Sequence, residues 1–462
     1  MNNIYFFIPC DIYVRDFDSR LLIALSVMKN IDNVKFVIGS QVAVNKFIIQ
    51  NNNIKKMIYY EKGIDQRYSN WYNYLANRGC LIYTLNEEGG IFEKNRHLID
   101  FNIDTNNLDL IQKNFIWSDF IFDQIKKEKK NFFNHSEFLV TGNPRFDLCA
   151  EQFNNFYDDF LNRYKKKKCI VISSTFTSGN SHVSDEYNII RLFSKTNFLK
   201  EEYFFDAKRR KYSNSLRKYF ISLTKEISNE NPNIQIFFRP HPVESHEIYN
   251  REFKEYKNIT VNNSVSARDM IAISDTLIHH DCTTAIESYL NNKKPIAYLP
   301  IFDDYLAQEI PIKLSQVTKK IEEVKYQLHK ILYENENTTL PKNHLKYFLK
   351  NFEAKSYEKI ANTFITDIKN FDKFKVKKKE RKKIDLLKYS FRFFSIRTLS
   401  TIIRIFSKFS NKKLTKFAKF SKQVESSELD KKIKTLSKII SLQKKVKIDK
   451  LKENLFLLKA ES

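Results

Sequence analysis

Glycine, proline and closely spaced cysteines are scarce in this chain of 462 residues. It holds only seven glycines and nine prolines, so we expect each one to support a backbone shape that other residues do not readily adopt. The five cysteines are far apart and form no CxxC pair, which argues against both a zinc knuckle and a disulfide framework. A reducing cytoplasm is the simplest compartment for such a chain.

Several familiar sequence signals are also missing. The first residues lack the basic region and the long apolar region of a signal peptide, and residues 5–8 instead predict a buried strand. Neither a GxGxxG nor a Walker A motif occurs. Apolar residues make up 42% of the chain, which is enough for a sizeable core and excludes wholesale disorder.

The net charge of +25 is unevenly distributed along the chain. Residues 373–422 hold 18 Lys and Arg against two acidic residues, a net charge of +16. Residues 1–372 carry only +5. The change in composition near Asn370 therefore predicts a boundary between a nearly neutral body and a basic tail.

Short apolar runs alternate with helical patterns along residues 1–300. This alternation predicts parallel sheets that are covered by helices on both faces. A lysine run at residues 165–168 separates two such series. We predict an α/β, GT-B-like protein with two Rossmann-like domains facing across a cleft and a basic helical tail. The predicted segments are 1–160, 161–340, a closing helix at 341–372 and the tail at 373–462.

Open α/β sheets bind ligands beyond the carboxyl ends of their strands, so the loops after predicted strands contain our candidates. Arg239, His241 and Pro242 follow one strand of the second half. An Arg and a His that leave a strand together suit an anionic ligand such as phosphate. An ordinary turn in which His241 caps a helix is an equally good interpretation.

Residues 275–287 contain more candidate polar residues than any other segment. A helix is expected to begin near Thr284, which would place the hydroxyls of Thr283 and Thr284 among free backbone N–H groups. Such a helix terminus attracts anions, and Glu287, one turn further, could reach ligand hydroxyls. The structural alternative is a capping box formed by Thr284 and Glu287.

Two further features of the second half are a hydroxyl-rich loop and a pair of adjacent histidines. Ser174 and Thr175 lie in a hydroxyl-rich loop before Gly179, which suits a phosphate or a sugar but equally a polar surface loop. The His279-His280-Asp281 run is not expected to bind metal, because adjacent histidines on an extended chain point to opposite faces.

The first half has paired carboxylates, Glu87 and Glu88, at the end of a predicted strand, followed by Gly89 and Gly90. Mutual repulsion raises the pKa of one carboxylate in such a pair, which suits a general base. A turn with solvated acids is the alternative.

Charged residues also follow the first predicted strand and could line the same cleft; these are Arg15, Asp16, Asp18 and Arg20. Near the end of the first half, Gly142 and Pro144 predict a fixed turn. This turn would direct Arg145 into the cleft or pair it with Asp147.

These motifs carry a family resemblance. Glu87-Glu88-Gly89, His241-Pro242 and Thr283-Thr284 occur in this order, and they resemble three motifs of bacterial GT-B glycosyltransferases that use CMP-activated acidic sugars. Those enzymes are the sialyl-, polysialyl- and Kdo-transferases. The wider run, roughly residues 4–365, resembles bacterial surface carbohydrate biosynthesis proteins. CDP-glycerol glycerophosphotransferases of teichoic-acid synthesis have a similar two-domain plan and are the alternative.

The resemblance implies roles for the nucleotide-side residues. His241 and its neighbours would hold CMP, with Thr283 and Thr284 on the phosphate. Asp269 or Glu287 would bind ribose, and Glu287 is favoured because it lies beside the phosphate loop. No cofactor or metal is expected, since phosphate donors alone can make CMP a good leaving group.

On the acceptor side, the resemblance implies that Glu88 deprotonates the acceptor hydroxyl. The sequence departs from the related enzymes here, because it has Glu-Glu where they often have Asp as the base. The expected partners are a nucleotide-sugar donor and a glycan or lipid-linked glycan acceptor.

The basic residues 373–422 alternate with aromatic and aliphatic ones. Cations within the apolar part argue against a spanning helix; they are Lys388, Arg392, Arg397 and Arg404. A helix lying on the anionic inner face of the cytoplasmic membrane fits better. A helical extension packed on the body is the alternative. A nucleic-acid-binding protein is a hypothesis of a different class, but we expect no nucleic-acid partner because the basic residues avoid the two domains.

Overall fold

The computed structural model describes residues 3–10, 12–64, 68–87, 105–153, 156, 159–180, 200–334, 340–341, 343–353, 355–374 and 424–461. These residues divide into two compact units. The first unit contains the chain up to Asp147 and again from His344, and the second unit contains Leu148–Asn343. The chain thus leaves the first unit before residue 160, where the sequence predicts the boundary.

The described strands, in chain order, are β1 (Ile4–Cys10), β2 (Val34–Ser40), β3 (Met57–Glu61), β4 (Cys80–Leu85), β5 (Ile111–Ile116), β6 (Glu137–Val140), β7 (Cys169–Ser173), β8 (Gln235–Arg239), β9 (Ile259–Val261), β10 (Thr276–His279), β11 (Ile296–Tyr298), β12 (Gln316–Thr318), β13 (Val446–Lys452) and β14 (Leu455–Ala460).

The described helices, in chain order, are α1 (Tyr13–Asn30), α2 (Gln41–Gln50), α3 (Ser69–Asn77), α4 (Asp119–Glu128), α5 (Pro144–Asp147), α6 (Asp159–Asn162), α7 (Lys200–Glu230), α8 (Glu247–Glu252), α9 (Ala267–Ile273), α10 (Thr284–Leu290), α11 (Glu309–Lys313), α12 (Ile321–Tyr333), α13 (Ser356–Lys369) and α14 (Ser426–Ile439). Short 3-10 turns connect several of them.

The sheet of the first unit has the order β13-β14-β2-β1-β3-β4-β5-β6. Strands β1 to β6 pair in parallel. The order in which successive strands are placed reverses between β1 and β3, and sheets of this order bind ligands at that switch point. Strand β1 is almost entirely buried, as expected for a parallel strand covered on both faces.

Helix α13 covers this sheet, and Phe364 belongs to its buried face. The ring of Phe364 packs against Phe6 and Tyr83, with ring centroids 4.7 and 4.9 Å apart. It also contacts Tyr60 and Phe115 at 5.4 and 5.5 Å. The segment predicted to be a closing helix is therefore largely part of the first unit's core.

The second unit has a six-stranded parallel sheet of order β12-β11-β10-β7-β8-β9. This is the doubly wound order, and its switch point lies between β7 and β10. Ile170 and Ile172 of β7 face one core layer, and Val171 faces the other. The prediction of Rossmann-like α/β domains is confirmed in both units.

The prediction of a helical tail up to residue 462 is wrong for residues 446–460, which form the antiparallel hairpin β13-β14. Strand β14 also pairs with β2 and thereby covers the edge of the first sheet. The turn contains Asn454 with φ of 53°, a conformation that asparagine tolerates. The high lysine content of the segment concealed the strand-forming run Leu455–Leu458.

Helix α14 belongs to the first unit and makes polar contacts with helix α1. Lys432 Nζ lies 2.6 Å from Asp18 Oδ1, and the Tyr13 hydroxyl donates to Glu428 at 3.0 Å. Within the described ranges, no helix is both long enough and apolar enough to cross a membrane. The predicted membrane-binding segment, residues 373–422, lies outside the described residues except for its first two positions.

Candidate functional site

The switch point of the second sheet brings two predicted loops together. Strands β7 and β10 are neighbours, with Ile172 opposite Ile278, so the loops after both strands begin side by side. One is the hydroxyl-rich loop that begins at Ser174, and the other is the segment from His280 to Thr284. Ligands of doubly wound sheets bind at this position, which makes it the candidate site of the second unit.

A fully buried carboxylate, Glu244, joins the loop after β7 to the loop after β8. It accepts hydrogen bonds from the Ser174 hydroxyl at 3.0 Å and from Phe176 N at 2.8 Å. It also accepts from His241 N at 3.3 Å and from the Tyr249 hydroxyl at 2.5 Å. Burial raises the pKa of Glu244 to about 6, although these donors lower it.

The predicted residues of the loop after β8 are partly accessible. His241 and Pro242 are half-buried, as is Thr175 in the neighbouring loop. His241 Nδ1 accepts a hydrogen bond from Val243 N at 3.4 Å. Arg239 is buried, and its Nη2 donates to Val265 O at 3.2 Å.

The two adjacent histidines at the end of β10 point in different directions, as predicted. His279 Nδ1 accepts from Cys282 N at 3.2 Å, and His279 Nε2 lies 2.8 Å from the Ser315 hydroxyl. Burial lowers the pKa of His279 to about 3, so the ring is neutral. With Nδ1 accepting, the proton lies on Nε2 and is donated to Ser315. His279 therefore has a structural role.

His280 lies between a tyrosine and a carboxylate. Its Nε2 is 3.1 Å from the Tyr212 hydroxyl of α7, and its Nδ1 is 3.2 Å from Asp281 Oδ1. Burial raises the pKa of Tyr212, so this hydroxyl keeps its proton. Asp281 also accepts from Gln308 N at 3.3 Å. These contacts fix the loop after β10 to helix α7 and to the loop that follows β11.

Helix α10 begins at Thr284, as predicted, but the capping box does not form. Thr283 occupies the cap position without a side-chain hydrogen bond to the helix. The hydroxyls of Thr284 and Ser173 are buried and have no hydrogen-bond partner among the described residues. Buried polar groups normally have partners, so these two hydroxyls, which flank the switch point, are available to a ligand. Glu287 is buried one turn further along.

Asp269, the other predicted ribose ligand, is held by its neighbour. Arg268 Nε donates to Asp269 Oδ1 at 2.8 Å, and Arg268 Nη2 donates to Phe156 O at 3.0 Å. Both charged side chains are buried. Their pairing fixes the start of helix α9, where the Ser266 hydroxyl caps Asp269 N.

In the first unit, Arg20 and Glu87 form a buried ion pair with a distance of 3.2 Å between Nη2 and Oε1. Arg20 Nη1 also donates to the carbonyls of Pro9 and Tyr60, both at 2.8 Å. Asn143 Nδ2 donates to Glu87 Oε2 at 3.3 Å. These contacts join the ends of β1 and β3 to the segments that follow β4 and β6. Burial raises the pKa of Glu87 and outweighs the opposite effect of Arg20.

The charged residues after β1 belong to helix α1, which begins at Tyr13. Asp16 is fully buried; its Oδ2 accepts from Ile12 N at 3.0 Å, and its Oδ1 accepts from Arg15 Nε at 2.6 Å. Burial acts to raise the pKa of Asp16, but the Arg15 guanidinium outweighs it and the pKa is lowered. Asp18 instead contacts helix α14, away from Arg20 and Glu87.

Arg145 is buried, and its guanidinium lies 5.7 Å from the centre of the Phe146 ring. Asp147 accepts from Tyr357 N at 2.6 Å, so its described partner is helix α13 rather than Arg145. The predicted base, Glu88, lies outside the described residues, as do Gly89 and Gly90. No group of three or more His, Cys, Asp or Glu side chains in the described ranges could hold a metal ion.

Sequence reasoning missed two residues that organise the second unit's site. Glu244 lies three positions after His241, but nothing in the sequence indicates that its carboxylate turns inward. Tyr212 lies in a long, strongly charged helix, and no sequence signal connects it with His280.

A family described as CDP-Glycerol:Poly(glycerophosphate) glycerophosphotransferase matches residues 114–310, which is less than half of the chain. The matched segment includes strands β7, β8 and β10 and the loops that follow them. A search of curated proteins gives no significant match.

Solved structures are similar to this chain at low sequence identity. The wall teichoic acid polymerase TagF is 12% identical with a TM-score of 0.51, covering 80% of this chain and 90% of that chain. A TagF variant soaked with CDPG gives the same four values. The S. aureus MnaA–UDP structure is 11% identical with a TM-score of 0.46, covering 82% of this chain and 99% of that chain.

The TagF comparison confirms the GT-B-like α/β fold, and the family match indicates a glycosyltransferase-type transferase. The family match also supports an enzyme of surface-polymer biosynthesis. The family description favours the CDP-glycerol alternative over the CMP-activated acidic sugars of our main prediction.

Proposed function

We propose that this chain transfers a glycerol phosphate unit from a CDP-activated donor to a hydroxyl of a surface polymer. The observation that supports this proposal most is the family match at residues 114–310, which includes the switch-point loops of the second unit. A CMP-activated acidic sugar, our main prediction from the sequence, has no such support.

The proposed reaction releases CMP. The acceptor oxygen forms a bond to the phosphorus that carries the glycerol, and the bond from that phosphorus to the bridging oxygen of the diphosphate breaks. CMP leaves with the bonding electrons, and the acceptor proton passes to a base. Developing negative charge on CMP must be stabilised by hydrogen-bond donors or cations.

The second unit is proposed to bind the cytidine diphosphate. The buried, unpartnered hydroxyls of Ser173 and Thr284 would donate to phosphate oxygens, together with Thr283. His241, half-buried in the adjacent loop, would contact the nucleotide. Glu287 remains the proposed ribose ligand, because it lies one turn along the helix that begins at the proposed phosphate loop.

The first unit is proposed to hold the acceptor, with Glu88 as the base. The buried Arg20 compensates the charge of Glu87. The sequence suggests that Glu87 raises the pKa of Glu88 by repulsion. Because Arg20 compensates its charge, Glu87 is better suited to anchoring the end of the strand. Glu88→Gln should fold and bind nucleotide but release CMP at least about 100-fold more slowly. Unchanged turnover would move the base elsewhere.

The donor is tested by binding and by turnover. CDP-glycerol should raise the melting temperature more than a CMP-activated acidic sugar or UDP, because only a ligand of the folded state stabilises it. Thr284→Val should bind CDP-glycerol about tenfold more weakly, the effect of losing about 1.4 kcal/mol. It should not lower the melting temperature of the free protein, since the buried hydroxyl has no hydrogen-bond partner among the described residues and the methyl group of valine has no desolvation cost.

The proposal fails if CDP-glycerol neither stabilises the protein nor yields CMP with a polymer acceptor. Stabilisation and CMP release with the CMP-activated sugar alone would restore our first prediction. Membrane association through residues 373–422 remains a prediction from the sequence. Deleting residues 375–422 should release the protein from anionic vesicles, and unchanged association would dismiss that role.

A further inference from the structure

Helix α7 carries a line of lysines on one face. We define the lysine stripe as Lys208, Lys211, Lys218 and Lys225. At 100° per residue these positions fall within an arc of about 100°, and at 1.5 Å per residue the stripe is about 26 Å long. Lysines at this spacing form a single row and not a broad patch.

The opposite face of α7 holds the helix in the second unit's core. Leu216, Phe220, Leu223 and Ile227 are buried against the sheet. The helix is therefore fixed in rotation, and the lysine stripe has to face outward. Lys211 and Lys218 are exposed and make no ion pair with any residue in the described part of the chain.

The stripe begins at the candidate site. Tyr212, next to Lys211 in the chain, contacts His280 after β10. Lys208 lies 2.7 Å from Asp303 in the loop after β11. Further along α7, Arg217 donates to Gly179 O at 2.6 Å and so contacts the loop after β7. The row of lysines thus leads away from the loops where the donor is proposed to bind.

We propose that the lysine stripe binds the phosphodiester backbone of the acceptor polymer and guides its end towards the donor site. This inference rests on the proposed function, in which both the acceptor and the product are polyanions. A single chain with regularly spaced phosphates matches a single row of cations in width and in charge.

Carboxylates beside the far half of the stripe favour a narrow chain over a flat anionic membrane. Glu226 and Glu230 both lie close to Lys325, at 3.2 and 2.6 Å. Glu252 lies 2.7 Å from Lys225. A membrane surface would have to approach these carboxylates, whereas a polymer chain can follow the lysines between them.

The test compares two double charge reversals in the full chain. Lys211→Glu/Lys218→Glu should bind synthetic poly(glycerol phosphate) about tenfold more weakly at low salt. The slope of log affinity against log salt should fall by about 1.4, as for two lost contacts to a single-stranded polyanion. The matched control is Lys254→Glu/Lys257→Glu, which changes the charge equally at exposed positions outside the stripe, between α8 and β9.

Further measurements make the outcome decisive. Lys211→Arg/Lys218→Arg should restore binding, and the affinity for CDP should be the same in all variants. Equal polymer binding by the two glutamate variants would overturn the proposal. The proposal would also be overturned if the glutamate variant of the stripe lost binding to phosphatidylglycerol vesicles but kept polymer binding. The stripe would then bind a membrane surface and not the polymer. Polymer binding is measured without donor, so a wrong donor assignment would not affect it.

Discussion

The carboxylate of Glu244 accepts a hydrogen bond from the Ser174 hydroxyl at 3.0 Å, although the two residues lie in loops after different strands. Backbone N–H groups of Phe176 and His241 donate to the same carboxylate. One buried side chain therefore joins two loops at the edge of the sheet where the nucleotide is proposed to bind. A residue with no access to a ligand can in this way control the geometry of a binding site.

Replacing Glu244 should loosen both loops. Glu244→Ala leaves four donors without an acceptor, and we expect the affinity for CDP to fall about 10- to 100-fold, with lower stability. Glu244→Gln keeps the volume and one acceptor oxygen, so it should retain more of the affinity. The measurement is calorimetric titration with CDP. Glu252→Ala, on the nearby helix α8, is the control, and a Glu244→Ala protein that binds as tightly as Glu252→Ala would contradict the positioning role.

The buried ion pair of the first unit gives a second prediction. Arg20→Met leaves the Glu87 carboxylate buried without its cation, which should lower the free energy of unfolding by about 3–5 kcal/mol. The double variant Arg20→Met/Glu87→Leu should be more stable than Arg20→Met, because it also removes the buried charge. Urea unfolding of the original protein, Arg20→Met, Glu87→Leu and the double variant measures the coupling free energy between the two side chains.

The control for the ion pair is Lys56→Met in the same unit. Lys56 pairs with Asp372, whose side chain is 76% exposed. An exposed pair of this kind contributes less than about 1 kcal/mol. If Arg20→Met were no more destabilising than Lys56→Met, the interpretation of Arg20 and Glu87 as a structural centre would be wrong.

The sequence predicts the sheets and the start of α10 because these follow from local patterns. Buried parallel strands are nearly continuous apolar runs, and Thr283 and Thr284 precede a helical pattern directly. The candidate loops were found in the same way, since ligands of open α/β sheets bind beyond the carboxyl ends of the strands.

Long-range polar contacts could not be predicted in the same way. Asp18 reads as a cleft residue after β1, yet its partner, Lys432, is 414 positions away. Glu87 reads as a solvated turn acid or the partner of a base, yet Arg20 is buried against it. A single sequence does not show which distant residue pairs with a charged side chain, or whether that side chain is buried. The identity of the pairing residue decides whether the charge is available for catalysis or has a structural role.

Docking of the C-terminal hairpin gives a third prediction. A Cβ atom at Gly39 would collide with the backbone carbonyl of Asn454, so Gly39→Ala should displace β14 from β2. We expect a loss of about 1–3 kcal/mol and faster hydrogen exchange of the β14 amides. Gly63→Ala is the control, since its nearest neighbour is the Asn86 side chain at 3.9 Å. Equal exchange in both variants would show that the hairpin accommodates the methyl group.

The last prediction concerns Asp147, which accepts a hydrogen bond from Tyr357 N at the start of α13. Its Oδ1 is buried and has no hydrogen-bond partner within the described residues. Burial raises the pKa of Asp147 from 3.8 to about 7, although its hydrogen bonds lower it and Glu358 raises it further. Between about pH 4 and pH 7, Asp147 is therefore protonated in the folded protein but ionised in the unfolded chain.

This shift makes stability fall as pH rises through that window, by up to about 1.4 kcal/mol per pH unit from this group alone. Asp147→Asn cannot ionise and keeps an oxygen for Tyr357 N. The variant should thus gain stability relative to the original protein between pH 5 and pH 7, and the gain should level off above about pH 7. Urea unfolding at pH 5, 6, 7 and 8 measures this difference. Asp372→Asn, at an exposed position, should show no such trend. A difference between the Asp147→Asn and original proteins that stays constant with pH would mean that Asp147 ionises in the folded state at its ordinary pKa.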